Sequence, residues 1–187
     1  MVQHNISLSR LNTFHLPSVA ERYLALTDLS QLEGPQFRQA PQLVLGGGSN
    51  MVLLEQVPGL TVHVQLGGVE VMGGAAGARR GLKRNRLNRP TDLSSSAVAK
   101  REYPSDGKTA DNGEEVFLRV GAGVDWNQFV RYTLDRGWCG LENLVLIPGT
   151  VGAAPVQNIG AYGAEVAESI TAVHVWEYGI GASILSP

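Results

Sequence analysis

Two clusters of glycine with short polar neighbours are the residues best suited to chemistry here. The first lies in residues 147–163, where Pro148, Gly149, Thr150, Val151, Gly152, Gln157, Asn158, Ile159, Gly160, Ala161, Tyr162 and Gly163 stand in a stretch without charge. Gly149, Gly152, Gly160 and Gly163 have no Cβ to keep a ligand off the backbone, and they reach positive φ readily. Their main-chain N–H groups can therefore be aimed at an anion. Thr150, Gln157 and Asn158 add the few polar side chains. The same composition suits a tightly packed core turn, and spacing alone does not separate the two readings. The second cluster is Gly46, Gly47, Gly48, Ser49 and Asn50, between apolar runs at 43–45 and 51–54 that begin with Leu43 and Met51. It reads as strand, anion-binding turn, strand. Three consecutive glycines exceed what a hairpin needs, and the Ser hydroxyl and Asn amide can bond phosphate oxygens. No Gly-Lys-Ser/Thr ending makes it a Walker loop, and it lacks the Gly-x-Gly-x-x-Gly of dinucleotide-binding βαβ units. Two unlike glycine loops in separate halves of the chain suggest a bipartite cleft for an extended ligand such as a dinucleotide.

The other reactive residue types form no constellation. Cys139 is the single cysteine, so it has no internal disulfide partner, and without a His/Cys cluster it reads as a small buried hydrophobe. His4, His15, His63 and His174 are scattered and give no metal spacing. The formal charge is −2, but eight of the fifteen Lys and Arg fall between Arg79 and Arg101 with only Asp92 opposing them. That clustering is the one feature favouring nucleic acid as a partner; the lack of an interleaved aromatic before Tyr103 argues against it.

A chain of 187 residues with 43% hydrophobic content supports one large or two small domains with a true core. No apolar run approaches the ~20 residues of a bilayer span, and the first ten residues lack a secretory pattern, so a membrane partner is not expected and the expected location is cytoplasmic. Alternation predicts a strand at 21–27, a short helix at 28–37 ended near Pro35, and a half-exposed strand at 59–66. Residues 5–17 read only as a polar and aromatic turn. A first subdomain then spans 1–67 and a second 68–187. Residues 72–113 offer too few large apolar side chains to offset ordering entropy and read as a disordered insertion between the two strands of a hairpin, 69–72 and 116–120. The clearest helix is 126–136, with Asp125 as cap, Gly137 as stop, and Trp126, Phe129, Val130, Thr133 and Leu134 on one core-facing stripe. A further strand is predicted at 170–178, and 179–187 shows no periodicity.

Taken together, Asn12, Thr13 and Phe14; Gly46 through Asn50; Val120, Gly121, Ala122 and Gly123; Gly140, Leu141, Glu142, Asn143 and Leu144; Pro148 through Gly152; and Gln157 through Gly163 resemble, in order and spacing, the UDP-N-acetylenolpyruvoylglucosamine reductase family. The resemblance implies an α+β FAD-binding fold of the vanillyl-alcohol-oxidase type, with the flavin between a small α/β subdomain and a second α+β subdomain. It implies that Gly46, Gly47, Gly48, Ser49, Asn50 and Met51 hold the FAD pyrophosphate. It also implies that Gly121, Ala122, Gly123 and Pro148 through Gly152 line the other side of the cofactor, and that Asn158, Ile159, Gly160, Ala161, Tyr162 and Gly163 lie near the flavin. The family takes a hydride from NADPH through the flavin to the enolpyruvyl group of a nucleotide sugar for peptidoglycan synthesis. The family's protonating serine, and its arginine and glutamate, match no residue of this sequence. The expectation is therefore a flavin-binding portion without its substrate-binding third domain and without catalytic residues of its own.

Overall fold

The structure is a computed structural model that describes residues 1–74, 116–178 and 180–185. Its first half is a four-stranded sheet in the order β1-β2-β4-β3, formed by β1 Gln3–Ser7, β2 Val19–Leu26, β3 Leu43–Leu45 and β4 Gln56–Val64. β1 runs antiparallel to β2, whereas β2, β4 and β3 are parallel. The register pairs Ala25 and Leu45 with His63, and Tyr23 and Leu43 with Thr61. Parallel strands buried on both faces read as apolar runs, not as clean alternation. β4 obeys this rule: Leu60, Thr61 and Val62 are all buried. One face packs Leu24, Leu26, Leu60 and Val62 against Leu32 and Phe37; the other packs Ala20, Tyr23, Leu45 and Val57 around Leu8.

The second half begins with an antiparallel pair, β5 Val69–Gly74 with β6 Val116–Val120, in which Glu70 lies opposite Arg119. The predicted hairpin is present. The predicted insertion at 72–113 falls outside the described residues beyond Gly74, as does the basic stretch from Arg79 to Arg101. Next comes α1 Trp126–Leu134, whose cap is Asp125 accepting from the Gln128 N–H at 2.9 Å. Its stripe Trp126, Phe129 and Val130 joins Val69, Val124, Leu144, Ala154 and Val166 in one core. Gly137, at φ 73°, ends it with its N–H on the Leu134 carbonyl at 2.9 Å. Beyond lie short 3-10 helices at Glu142–Leu144, Val151–Gln157 and Val166–Ser169, a small hairpin of β7 Gly160–Ala161 and β8 Ala164–Glu165, and the pair β9 Val173–Glu177 with β10 Gly181–Leu185. β9 reaches back to the first sheet: Trp176 packs on its Leu24–Phe37 face, and the Tyr178 ring stacks on Phe37 at 6.5 Å.

Several local expectations are corrected. Residues 51–54 are not a strand; Met51 and Leu53 pack on the core beside β3 while Val52 and Leu54 face solvent, and no neighbouring strand pairs with them. The helix expected at 28–37 is two 3-10 turns, Leu29–Glu33 and Pro35–Phe37, because Gly34 and Pro35 interrupt it after one turn. Residues 5–17 are partly β1, and 179–187 contains β10; each is ordered by a strand elsewhere in the chain. Cys139 is exposed, not buried, since it follows the end of α1 on the outside of the fold.

Candidate cofactor site

The carboxyl ends of β2, β3 and β4 define one rim of the first sheet, and ligands of open α/β sheets bind at that rim. The loop from Gly46 to Asn50 leaves β3 there. It is braced from behind by residues 12–13: the Thr13 N–H and hydroxyl both donate to the Gly48 carbonyl, at 3.1 and 3.3 Å. Asn12, 3% exposed, holds that brace in shape, donating to the Leu8 and Leu16 carbonyls and accepting from the Leu16 N–H. Gly48 is buried at φ 64°, and a Cβ there would run into the Leu11 carbonyl. Among the described residues no protein acceptor meets the N–H groups of Gly47, Gly48, Ser49 or Asn50. Four adjacent donors are thus left without protein partners next to three successive glycines, an arrangement of the kind that can bind an anion.

The second glycine loop closes against the first. A Cβ on Gly47 would lie 3.1 Å from the Gly149 Cα, and one on Gly46 2.9 Å from the Thr150 hydroxyl. Ser49 donates to the Pro148 carbonyl at 3.3 Å, and Asn50 Nδ2 to Gln157 Oε1 at 2.6 Å. At Gly46, Gly47, Ser49 and Asn50 the first loop therefore touches the second.

The third loop serves these two. A Cβ on Gly123 would stand 2.5 Å from the Gln65 Cα, one on Gly121 2.5 Å from the Gly67 carbonyl, and one on Gly152 2.5 Å from the Ala122 Cβ. The N–H groups of Gly121, Gly123, Val151 and Gly152 are all spent on main-chain carbonyls at 2.8 to 2.9 Å. The missing side chains at Gly121, Gly123 and Gly152 therefore let backbones meet. Asn158, at φ 46°, caps the Val151–Gln157 turn and uses its amide internally, donating to Glu165 at 2.7 Å and accepting from the Ala167 N–H at 3.1 Å. Ile159 and Ala161 pack on the α1 core, whereas Tyr162, at φ 52° and 92% exposed, stands with Gly163 at the hairpin tip. An open depression beside this hairpin is lined by Asn158, Gly160, Ala161, Gly163 and Glu165.

Sequence reasoning passed over His63 and Asn127. His63 sits beside Leu45, one residue before the first glycine loop. Its Nδ1 accepts from the Tyr23 hydroxyl at 2.7 Å and from Gln65 Nε2 at 3.0 Å, and burial pushes the imidazole below its ordinary value while raising the Tyr23 phenol. Burial therefore favours the uncharged ring. Asn127 bonds the Leu146 N–H and, at 3.3 Å, the Ile147 carbonyl. Local sequence marks neither residue, since Tyr23 lies 40 positions from His63 and Leu146 and Ile147 lie 19 and 20 from Asn127.

Residues 107–179 match a family described as FAD binding domain. The crystal structure of UDP-N-acetylenolpyruvylglucosamine reductase from Thermus caldophilus covers 100% of this chain at a TM-score of 0.62 and 22% identity, the chain covering 52% of it. The fold is therefore an α+β fold of the vanillyl-alcohol-oxidase type, the type to which that FAD binding domain family belongs. Among curated proteins, the UDP-N-acetylenolpyruvoylglucosamine reductases of Dechloromonas aromatica and Bdellovibrio bacteriovorus are 37% and 38% identical over 93% and 96% of this chain. That of Bordetella pertussis is 39% identical over 89%. The chain is thus a relative of these reductases over nine-tenths of its length, and it spans about two-fifths of theirs, 41%, 44% and 38%.

Proposed function

We propose that this chain is the flavin-binding part of an NADPH-dependent reductase that converts UDP-N-acetylenolpyruvoylglucosamine to UDP-N-acetylmuramate for peptidoglycan synthesis in the cytoplasm. The observation that carries the reading is the set of N–H donors at Gly47, Gly48, Ser49 and Asn50 on a loop packed against Pro148 and Gly149. Those donors suit the pyrophosphate of FAD, with Met51 supporting their loop from the core and Thr150 presenting its hydroxyl beside Gly46. When bound, FAD supplies hydride transfer from a nicotinamide to a substrate; the protein supplies orientation and electrostatics. Gly121, Ala122, Gly123, Val151 and Gly152 hold the second loop in place, and Asn158 through Gly163 form the hairpin expected beside the flavin. The division into subdomains at 67 and 68 belongs to the same reading, as does a nucleotide sugar as the small-molecule partner. Among the described residues no helix is long and apolar enough to cross a membrane.

Visible absorption of the purified chain is the test. A flavin spectrum that survives gel filtration after reconstitution with FAD is expected. A colourless protein with salt-sensitive affinity for nucleic acid would overturn the reading in favour of the basic stretch.

A further inference from the structure

Leu146 has a backbone φ of 69° and a side chain 71% exposed. Left-handed backbone is disfavoured for any residue with a Cβ, and asparagine tolerates it because its amide can bond locally. Leucine has no such group, and at this exposure packing does not hold it there either. Asn127 does. Its Oδ1 accepts the Leu146 N–H and its Nδ2 donates to the Ile147 carbonyl at 3.3 Å, so one amide grips two successive residues of the turn. Trp126, one position earlier at the start of α1, grips the flanks: its indole donates to the Leu144 carbonyl at 2.8 Å and its main-chain N–H to the Gly149 carbonyl at 3.0 Å. The first turn of α1 therefore sets residues 144–149, and Gly149 is where the Gly47 backbone rests.

We infer that Asn127 is a positioning residue of the flavin site: by bonding both sides of the left-handed Leu146 it fixes the approach of Pro148 and Gly149, and through them the placement of the anion-binding loop. The inference rests on the flavin reading, while the clamp itself makes no reference to a ligand.

The test compares the 187-residue parent with Asn127→Ala, Leu146→Gly and the double variant, reading FAD affinity by quenching of flavin fluorescence and the thermal midpoint of the ligand-free protein. Asn127→Ala is expected to weaken FAD by about tenfold, the effect of a lost hydrogen-bond pair. Leu146→Gly alone is expected to leave affinity within about threefold, and in the double variant to bring it back to that range, because glycine takes the left-handed conformation unaided. A role for Asn127 in stability alone would lower the thermal midpoint in Asn127→Ala and leave FAD affinity unchanged. The inference is overturned if Asn127→Ala binds FAD like the parent, or if the double variant binds as weakly as Asn127→Ala. Should Asn127→Ala not fold, the double variant decides: folding with near-parental affinity supports the clamp, and failure to fold overturns it. A parent that binds no FAD would sink the flavin reading and with it the site role. The clamp is then judged separately by whether Leu146→Gly restores the midpoint that Asn127→Ala lowers.

Discussion

The backbones of Gly47 and Gly149 meet: a Cβ on the first would lie 3.1 Å from the Cα of the second. One contact thus fastens the two glycine loops to each other, and substitutions in the first loop act on fold and cofactor together. Gly48→Ala is expected to cost on the order of 3 kcal/mol, since φ is 64° and the new Cβ would press on the Leu11 carbonyl. Gly47→Asp is expected to cost less, about 1 kcal/mol from crowding against Gly149, yet to weaken FAD by more than about tenfold by bringing negative charge to the pyrophosphate donors. Urea melts with FAD titrations separate the two; a Gly47→Asp protein that keeps as much flavin as the parent would refute the phosphate-loop assignment.

Thr61 is fully buried in the central strand β4, and its hydroxyl has no hydrogen-bond partner among the described residues. Thr61→Val keeps the shape and removes an unpaired polar group. Stability should stay level or rise by about 1 kcal/mol. A loss of that size in a urea melt would show that the hydroxyl is satisfied in solution.

His63 makes the fold sensitive to acid. Burial holds its imidazole below the ordinary value of 6.5, so as pH falls through that value the unfolded chain takes up the proton first. Stability is therefore full above 6.5 and declines from there down to the lowered native value, where the decline stops. Protonation at Nδ1 also removes the acceptor for Gln65 Nε2, whereas the Tyr23 hydroxyl can turn to accept from the new N–H. His63→Gln should flatten this part of the curve. Urea midpoints between about pH 5 and 8 for parent and variant measure it, the other histidines cancelling in the difference. Identical slopes would show that His63 titrates alike in both states.

FAD binding and turnover are expected to part company. The sequence resemblance leads us to expect the family's proton donor and charged pair at none of these residues, and groups of that kind commonly contribute factors of about 10² or more each. The 187-residue chain with FAD, NADPH and UDP-N-acetylenolpyruvoylglucosamine should show no steady loss of nicotinamide absorbance. Oxidation dependent on the enolpyruvyl substrate at an ordinary rate, about 1 per second or faster, would mean that catalytic groups lie elsewhere in these residues.

Features carried by neighbouring residues were legible without the structure. The α1 stripe, its Asp125 cap and Gly137 stop follow from helical spacing and backbone preference. The strands β2, β4 and β9 follow from their apolar residues and the glycine loops from composition, but alternation at 59–66 suggested a half-exposed strand where parallel partners on both sides bury Leu60, Thr61 and Val62. What escaped the sequence depends on partners far along the chain. Ser49 finds Pro148 across 99 positions and Asn50 finds Gln157 across 107, so the loops' mutual contact has no local signature. Gly121 and Gly123 show the same limit from the other side: glycine permits close approach, but only the tertiary structure decided that the visitor is the backbone of residues 65–67. β1 is too polar and β10 too aperiodic to declare itself, and each is ordered by pairing with β2 or β9. Local preference acts over one turn or one strand, whereas the placement of an anion site is settled by which loops the packed sheets and α1 bring together.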